Sequence, residues 1–292
     1  MMFDVSHKTL YRYSQPVVQS QHVTRMAPRT LPRQTVRHHS LIVQPAPAMR
    51  QDGIDAFGNG MVILDIELPH RELILHARST VETLVPALVE LTATTPWDGI
   101  DAALVPSGGR GRDLETIQYR CASRFTPSSP DIAGYAAASF ARGRPVLEAA
   151  MDLTFRIFRD FAFDPLATDI STPIAQVLRK RRGVCQDFAH LALACLRTRR
   201  IPARYVSGYI LTRPAPGQIK LNGTDASHAW ISVWSPGAGW VDFDPTNGIM
   251  AAGEHITLGF GRDYNDVAPI CGVLLGGGEH TVSVAVDVVP AG

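Results

Sequence analysis

The chain has little of what would place it at a glance. Only four of its 292 residues are cysteine, at positions 121, 185, 195 and 271. No two of them form a CxxC pair, which speaks against a four-thiolate zinc site. Cys185 and Cys195 stand ten apart on one expected helix, about 15 Å of rise and too far for a disulfide. All four are therefore read as thiols. Charge of one sign is also missing. Lys+Arg total 28 against Asp+Glu 27, a formal net charge of +1, which does not suit a general nucleic-acid binder. No apolar run approaches the roughly 18–20 residues that span a bilayer. Met1 to Tyr13 is polar and charged throughout, without an apolar signal core. The expectation is a cytoplasmic protein of bacterial type that does not bind membranes. Internal repeats, low-complexity tails and acidic loops at calcium-ligand spacing are absent too. What is present is an ordinary globular balance, 45% hydrophobic and 19% charged, enough for one large or two small domains.

The first ~90 residues read as β. Short apolar or alternating runs at Phe3–Tyr13, Thr35–Val43, Met61–Leu68 and Leu73–Leu84 are split by Pro28, Pro32, Pro45, Pro47 and the turn-rich stretch from Asp55 to Gly60. A small sandwich-like domain over 1–90 is expected. Six histidines fall here (His7, His22, His38, His39, His70 and His76). None has an i, i+4 helical partner or a carboxylate at ligand spacing, so they are read as surface or satisfied core residues. From Pro96 the character changes. Loops at Pro106–Gly109 and Thr126–Pro130 precede an alanine-rich helix over 131–140. A longer helix starts near Pro145, with Val146, Leu147, Ala150, Leu153 and Ile157 at helical spacing. Thr172-Pro173 opens another, which ends in Arg179-Lys180-Arg181-Arg182. Those four cations complement a helix C-terminus and stay solvated. With Arg197, Arg199, Arg200 and Arg204 they could instead form a nucleic-acid patch, but the balanced charge of the whole chain opposes that.

Chemistry gathers between 183 and 248. Gly183 suits a helix C′ position. Cys185 opens the next helix, which runs to about Arg199 with Phe188, Leu191, Ala192, Cys195 and Leu196 on its apolar stripe, until Ile201-Pro202 stops it. At a helix N-terminus the free N–H groups and partial positive charge favour thiolate and could hold an oxyanion. A buried structural cysteine is the competing reading. Arg204–Ile210 reads as a strand. Asp225–Trp234 alternates at period two, Ser235–Gly239 is a turn, and Trp240–Asp244 is the returning strand. If Trp234 pairs with Trp240, then Trp230 faces Asp244 and His228 faces Thr246, all on one face. His228 and Asp244 become diagonal neighbours, roughly 7–8 Å apart at the backbone and within side-chain reach. A cysteine nucleophile needs such a pair: the imidazole takes the thiol proton, and the carboxylate fixes its tautomer. Asp244 could also merely cap the turn before Pro-Thr-Asn, and His228 could be a core histidine. His190, five residues along the helix from Cys185 and about 500° of rotation away, faces elsewhere and is read as structural. Trp230 and Trp234 either shield the pair or simply fill the core.

Gly183-Val-Cys185-Gln-Asp-Phe-Ala-His190, then His228-Ala-Trp230, then Asp244-Pro-Thr-Asn247 resembles the transglutaminase-like superfamily. The likeness is to bacterial members with a β domain ahead of the core. The core resemblance covers about 150–250, and Gly261–Pro269 and the first ~85 residues extend it. It implies an α+β chain: the N-terminal domain, then a catalytic domain over 96–292 in which a nucleophile helix packs on an antiparallel sheet in papain-like fashion. It implies Cys185 as nucleophile, His228 as general base and then acid, and Asp244 as orienter. Neither metal nor cofactor is expected.

The shared reaction is thiolate attack on an amide or ester carbonyl to give a thioester. With water as acceptor the enzyme is a peptidase or amidase acting on peptide or isopeptide bonds, which family-level analogy favours. With an amine as acceptor it is a protein-glutamine gamma-glutamyltransferase. A non-catalytic scaffold that binds a peptide or protein is the alternative of another class. Substrate and oligomeric state stay open at this level.

Overall fold

The structure is a computed structural model, and it describes residues 1–104, 113–212 and 227–291. The expected loop at Pro106–Gly109, and Asp225 and Ala226 at the head of the expected strand, lie outside the described residues. The chain begins with strands β1 (Met2–Thr24), β2 (Gln34–Gln44), β3 (Met49–Ile54), β4 (Gly60–Ile66) and β5 (His70–Thr83). Helices α1 (Ile100–Ala103), α2 (Leu114–Ile117), α3 (Pro130–Ala137) and α4 (Val146–Asp160) follow. Then come β6 (Ala162–Phe163), α5 (Ile174–Lys180), β7 (Arg182–Gly183), α6 (Cys185–Thr198), β8 (Ala203–Ile210), β9 (Ser227–Ser235), β10 (Gly239–Asp244), β11 (Ile249–Met250) and β12 (His255–Gly261). The chain closes with α7 (Tyr264–Val267), β13 (Ile270–Gly276) and β14 (His280–Pro290).

The long strand β1 organises the first sheet, whose order is β2-β5-β1-β4-β3 with β13 and β14 also paired to β1. Its first half, from Phe3, pairs with β5 on one side and β14 on the other. Its second half, to Thr24, pairs with β4 and β13. The register breaks between Arg12 and Val17, at Ser14-Gln15-Pro16. Proline donates no ladder hydrogen bond, so the strand bends there. The sheet curls on itself and encloses Val17, Leu41, Leu64, Ile66, Leu73 and Leu75. The alternation along β4 and β5, buried at every second residue, is the period-two pattern of strands with one face inside.

Two details depart from expectation. β1 runs to Thr24 rather than stopping at Tyr13. β13 and β14 were expected inside a catalytic domain spanning 96–292; they return to the first sheet instead, so that sheet is built from both ends of the chain.

The second sheet is antiparallel, in the order β11-β10-β9-β8-β12. Helix α6 packs on β8 and β9 and is flanked by α3, α4 and α5. Its alanine- and leucine-rich sequence has high helix propensity, and every residue from Asp187 to Arg197 is buried. The two sheets meet through Phe3, Val5 and Val81 on one side and Tyr209, Ile256 and Leu258 on the other. The outer edge of β12 would otherwise present unpaired backbone groups. Side-chain amides of the first sheet occupy it: Gln34 exchanges two hydrogen bonds with Thr257 (both 2.7 Å) and Asn59 two with Phe260 (both 2.8 Å).

The arginine cluster resolves into different roles. Arg179 to Arg182 are exposed, in keeping with solvated cations, and the Arg181 guanidinium lies over Tyr135 and Phe161. Arg197 is buried and donates to the backbone carbonyls of Tyr119, Ala203 and Arg262. Arg204 is held between the rings of Trp240 and Phe260. These last two are interior braces rather than a surface patch. No helix among the described residues is long and apolar enough to cross a membrane.

Candidate active site

Cys185 is the first residue of α6 and is partly exposed. The helix start is built tightly around it. Asp187, in the first turn, accepts the Val184 N–H (2.8 Å) and the Thr168 hydroxyl (2.6 Å) on the same oxygen. This is the reverse half of a capping box, which satisfies an N–H ahead of the helix. Gly183 makes room for it, since a Cβ there would lie 2.7 Å from the Asp187 carboxylate. The first-turn N–H groups after Val184 keep the lack of intrahelical partners common to helix starts.

The hairpin of β9 and β10 has the register the sequence predicts. Trp240 pairs with Trp234 and Asp242 with Ser232, although the connecting loop is three residues, Pro236 to Ala238, rather than five. On β9, Ala229, Ile231 and Val233 join the helix-side core, while Trp230 packs with Val206 and Phe260. His228 and Asp244 are both buried, and His228 Nε2 lies 2.7 Å from Asp244 Oδ2. The Cys185 thiol is near enough to the same imidazole to bear on its proton. With Nε2 committed to Asp244, Nδ1 is the nitrogen left for the thiol. Burial works against a charge on His228, but the hydrogen bonds and negative charges of Asp244 and Cys185 outweigh it and raise the imidazole well above its ordinary value. Burial likewise opposes ionisation of Asp244, yet the hydrogen bonds from His228, His255 and Asn247 hold it below the usual carboxylate range.

Asp244 does two jobs that the sequence posed as alternatives. Its Oδ1 accepts the Thr246 and Asn247 N–H groups at 2.9 and 3.2 Å, capping the turn after Pro245. Its Oδ2 accepts from His228, from Asn247 Nδ2 at 2.7 Å and from His255 Nε2 at 3.1 Å. His255 and the Asn247 side chain are participants that sequence reasoning missed. Asn247 could have been found, because an Asx turn places residue i+3 beside the aspartate. His255 lies on β12, and only the pairing of β12 with β8 brings it in. Trp230 fills the space beside both imidazoles, with ring centroids 5.1 Å from His255 and 6.0 Å from His228.

His190 stands apart, as its helical phase predicts. It stacks on Phe125, accepts the Tyr264 N–H on Nε2, and burial pushes it down to about 3. Cys195 is fully buried, and its thiol is pushed up to about 12 by that burial. Of the six N-terminal histidines, His7 is buried against the Tyr209 hydroxyl (2.8 Å) and pushed down to about 4 by burial.

Among the described residues, His228, Asp244 and His255 bring three potential ligand atoms together. The Ala252 N–H donates to His255 Nδ1 at 3.1 Å, so the His255 proton sits on Nε2 and points at the carboxylate. Both imidazoles therefore meet Asp244 through hydrogen bonds, and a cation would have to displace them. A cavity of about 290 Å³ lies where the two sheets meet, bordered by Arg33, Gln34, Arg204, Asp242 and His255 but not by Cys185. It is the back of the constellation, away from the thiol.

Comparison with known proteins places the chain in a family. Residues 3–82 match the model of the bacterial transglutaminase-like N-terminal region, and residues 134–245 match that of the transglutaminase-like superfamily. An uncharacterized protein of Mycobacterium tuberculosis is 39% identical over 302 residues, covering 99% of this chain and 92% of that protein. A crystal structure of a candidate cysteine protease from Cytophaga hutchinsonii has the same fold, with a TM-score of 0.76 at 20% identity over 100% of this chain and 92% of that one. A protein-glutamine gamma-glutamyltransferase of Pseudomonas aeruginosa is 40% identical over 81 residues, 27% of this chain and 12% of that protein. Both parts of the chain are matched in order, and the likeness to the mycobacterial protein runs nearly end to end: the chain belongs to the transglutaminase-like superfamily, with the bacterial N-terminal region ahead of the core, and so to a cysteine-dependent acyl-transfer family.

Proposed function

We propose that the protein is a cysteine peptidase or amidase that cleaves peptide or isopeptide bonds through a thioester on Cys185. The observation that carries this reading is the convergence of a partly exposed thiol at a helix N-terminus with a buried imidazole 2.7 Å from a buried carboxylate. His228 takes the Cys185 proton through Nδ1, and the resulting imidazolium is held by Asp244. The thiolate attacks the substrate carbonyl. The negative oxygen of the tetrahedral adduct is met by first-turn N–H groups of α6, the Cys185 N–H foremost. His228 then gives its proton to the departing amine as the C–N bond breaks, leaving the thioester. Water deprotonated by the same imidazole attacks the thioester carbonyl, the C–S bond breaks, and acid and thiol are released.

A second reading has an observation of its own. The 81-residue likeness to a protein-glutamine gamma-glutamyltransferase supports an amine in place of water in the second half-reaction, with the first half unchanged.

The test needs no substrate. Alkylation of Cys185 would be followed by intact mass and peptide mapping across about pH 4–10 in the wild type and in His228→Ala. Fast reaction near pH 6 that is lost in His228→Ala is the expected result. A Cys185 that titrates at the ordinary thiol value of ~8.5 in both proteins would refute the catalytic reading. Peptide substrates with and without a primary amine would then separate hydrolysis from transfer.

A further inference from the structure

An orienting carboxylate is only as well placed as the groups that hold it. The backbone turn fixes one Asp244 oxygen. The other meets His228 and is anchored from two sides, by the Asn247 amide of the turn and by His255 of β12. We infer that His255 is a positioning residue: a neutral imidazole, protonated on Nε2, that pins Asp244 Oδ2 and through it sets the ring of His228. The inference rests on the triad reading given above.

Three observations carry it. The tautomer is set by the backbone, because the Ala252 N–H donates to Nδ1 at 3.1 Å and thereby leaves the proton on Nε2, which lies 3.1 Å from Oδ2. The ring is boxed in. Trp230 meets it edge-on at 5.1 Å, and Trp230 can lie there only because Gly208 has no side chain: a Cβ at 208 would come within 2.4 Å of the indole and 2.2 Å of the Ile256 carbonyl. Finally, the strand that carries His255 is held on both edges, by β8 on one side and by the Gln34 and Asn59 amides on the other. The N-terminal sheet thus contributes to the placement of the triad without touching the thiol.

The groups facing this arrangement are few. His228 comes from β9, Asp242 and Asp244 from β10, and Cys185 from α6. Arg204 from β8 and Arg33 from the β1–β2 connection line the cavity on which His255 also borders. Without His255 the Asp244 carboxylate loses one of its anchors, and the His228 ring is held less well against the thiol.

Two experiments on the full chain test the proposal. In the first, ¹⁵N NMR of histidine-labelled wild type, with His255→Gln for assignment, reads the His255 ring directly. The expected spectrum shows a neutral ring at pH 7 with Nε2 protonated and Nδ1 bare. A ring protonated on Nδ1, or on both nitrogens, overturns the proposal without any need for a folded variant. In the second, the pH profile of Cys185 alkylation is compared between wild type, His255→Leu and His255→Gln. The glutamine carries an N–H close to the place of Nε2, and leucine carries none. Loss of one charge-assisted hydrogen bond should move the acid limb of the His255→Leu profile up by about one pH unit, with His255→Gln returning it toward the wild type. A purely structural role would lower the melting temperature and leave the limb where it was. A limb that is unmoved in folded His255→Leu overturns the proposal if His228→Ala has lost reactivity. If His228→Ala reacts like the wild type, the failure is that of the triad reading itself.

Discussion

Asp244→Asn should disable the thiol by trapping the wrong tautomer of His228. In the wild type, Oδ2 accepts three donors at 2.7–3.1 Å, from His228, Asn247 and His255. An asparagine that keeps its carbonyl toward the Thr246 and Asn247 N–H groups must present an NH2 to those three donors. His228 can relieve its own conflict by losing the proton on Nε2 and keeping one on Nδ1, which faces Cys185. It then accepts from the amide and can no longer take the thiol proton. Deprived of its base, the thiol should return to ordinary behaviour. At pH 6.5 a thiol of pKa ~8.5 is about 1% ionised, so the alkylation rate should fall by roughly 100-fold. The two remaining donor–donor conflicts cost about 1–3 kcal/mol each if unrelieved. A destabilisation near 3 kcal/mol corresponds to a melting temperature roughly 5–10 °C lower in a chain of this size. The assay is timed iodoacetamide labelling at pH 6.5, read by peptide mapping. The exposed Cys121 and Cys271 serve as internal controls whose rates should not change, and buried Cys195 as the unlabelled reference. A folded Asp244→Asn protein whose Cys185 labels at the wild-type rate would refute the reasoning.

Two further substitutions probe the surroundings. Gly208→Ala should lower the melting temperature markedly, since the new Cβ meets the Ile256 carbonyl at 2.2 Å and overpacking of this kind costs about 1–3 kcal/mol or more. Gly134→Ala in α3, where a Cβ meets nothing within 4 Å, should be neutral or stabilising; equal thermal melts for the two variants would contradict the packing. His190→Gln separates the rival imidazole from the base. Because burial depresses His190 in the folded state, the unfolded chain protonates first as pH falls through ~6.5, and stability drains from there down to about 3. Glutamine can still accept the Tyr264 N–H but does not titrate. The loss of melting temperature between pH 7 and pH 4.5 should therefore shrink while Cys185 labelling at pH 6.5 stays unchanged, and a collapse of labelling would make His190 the base.

The parts that could be read from the sequence are those whose order is local. The helix over 185–198 showed as a 3.6-residue stripe with a stop at Ile201-Pro202. The β9–β10 register followed from period-two alternation and a short turn, and with it the approach of His228 to Asp244. What could not be read depends on partners far along the chain. β1 was read only from Phe3 to Tyr13, whereas in the fold neighbours on both sides carry the strand through to Thr24. β13 has no buried side chain, and β14 turns inward only at Val286 and Val288, so their sheet is decided by pairing with β1. His255 has no chemical neighbour within its own segment; β12 must pair with β8 before it meets Asp244. Arg197 and Arg204 were legible as charge but not as interior braces, since most of the carbonyls and rings that receive them lie far along the chain, at Tyr119, Trp240, Phe260 and Arg262.

The double pairing of β1 has a consequence for how the protein is made. The strand leaves the ribosome long before the partners of one of its edges, β13 and β14. Throughout synthesis that edge offers unpaired N–H and C=O groups, a template for any other extended chain. Contacts between residues 3–24 and 270–290 also give the fold a large share of sequence-distant pairing, the kind that forms slowly. Truncation of the last twenty or so residues would be felt at the opposite end of the chain, as aggregation of the N-terminal sheet rather than as damage to the thiol helix.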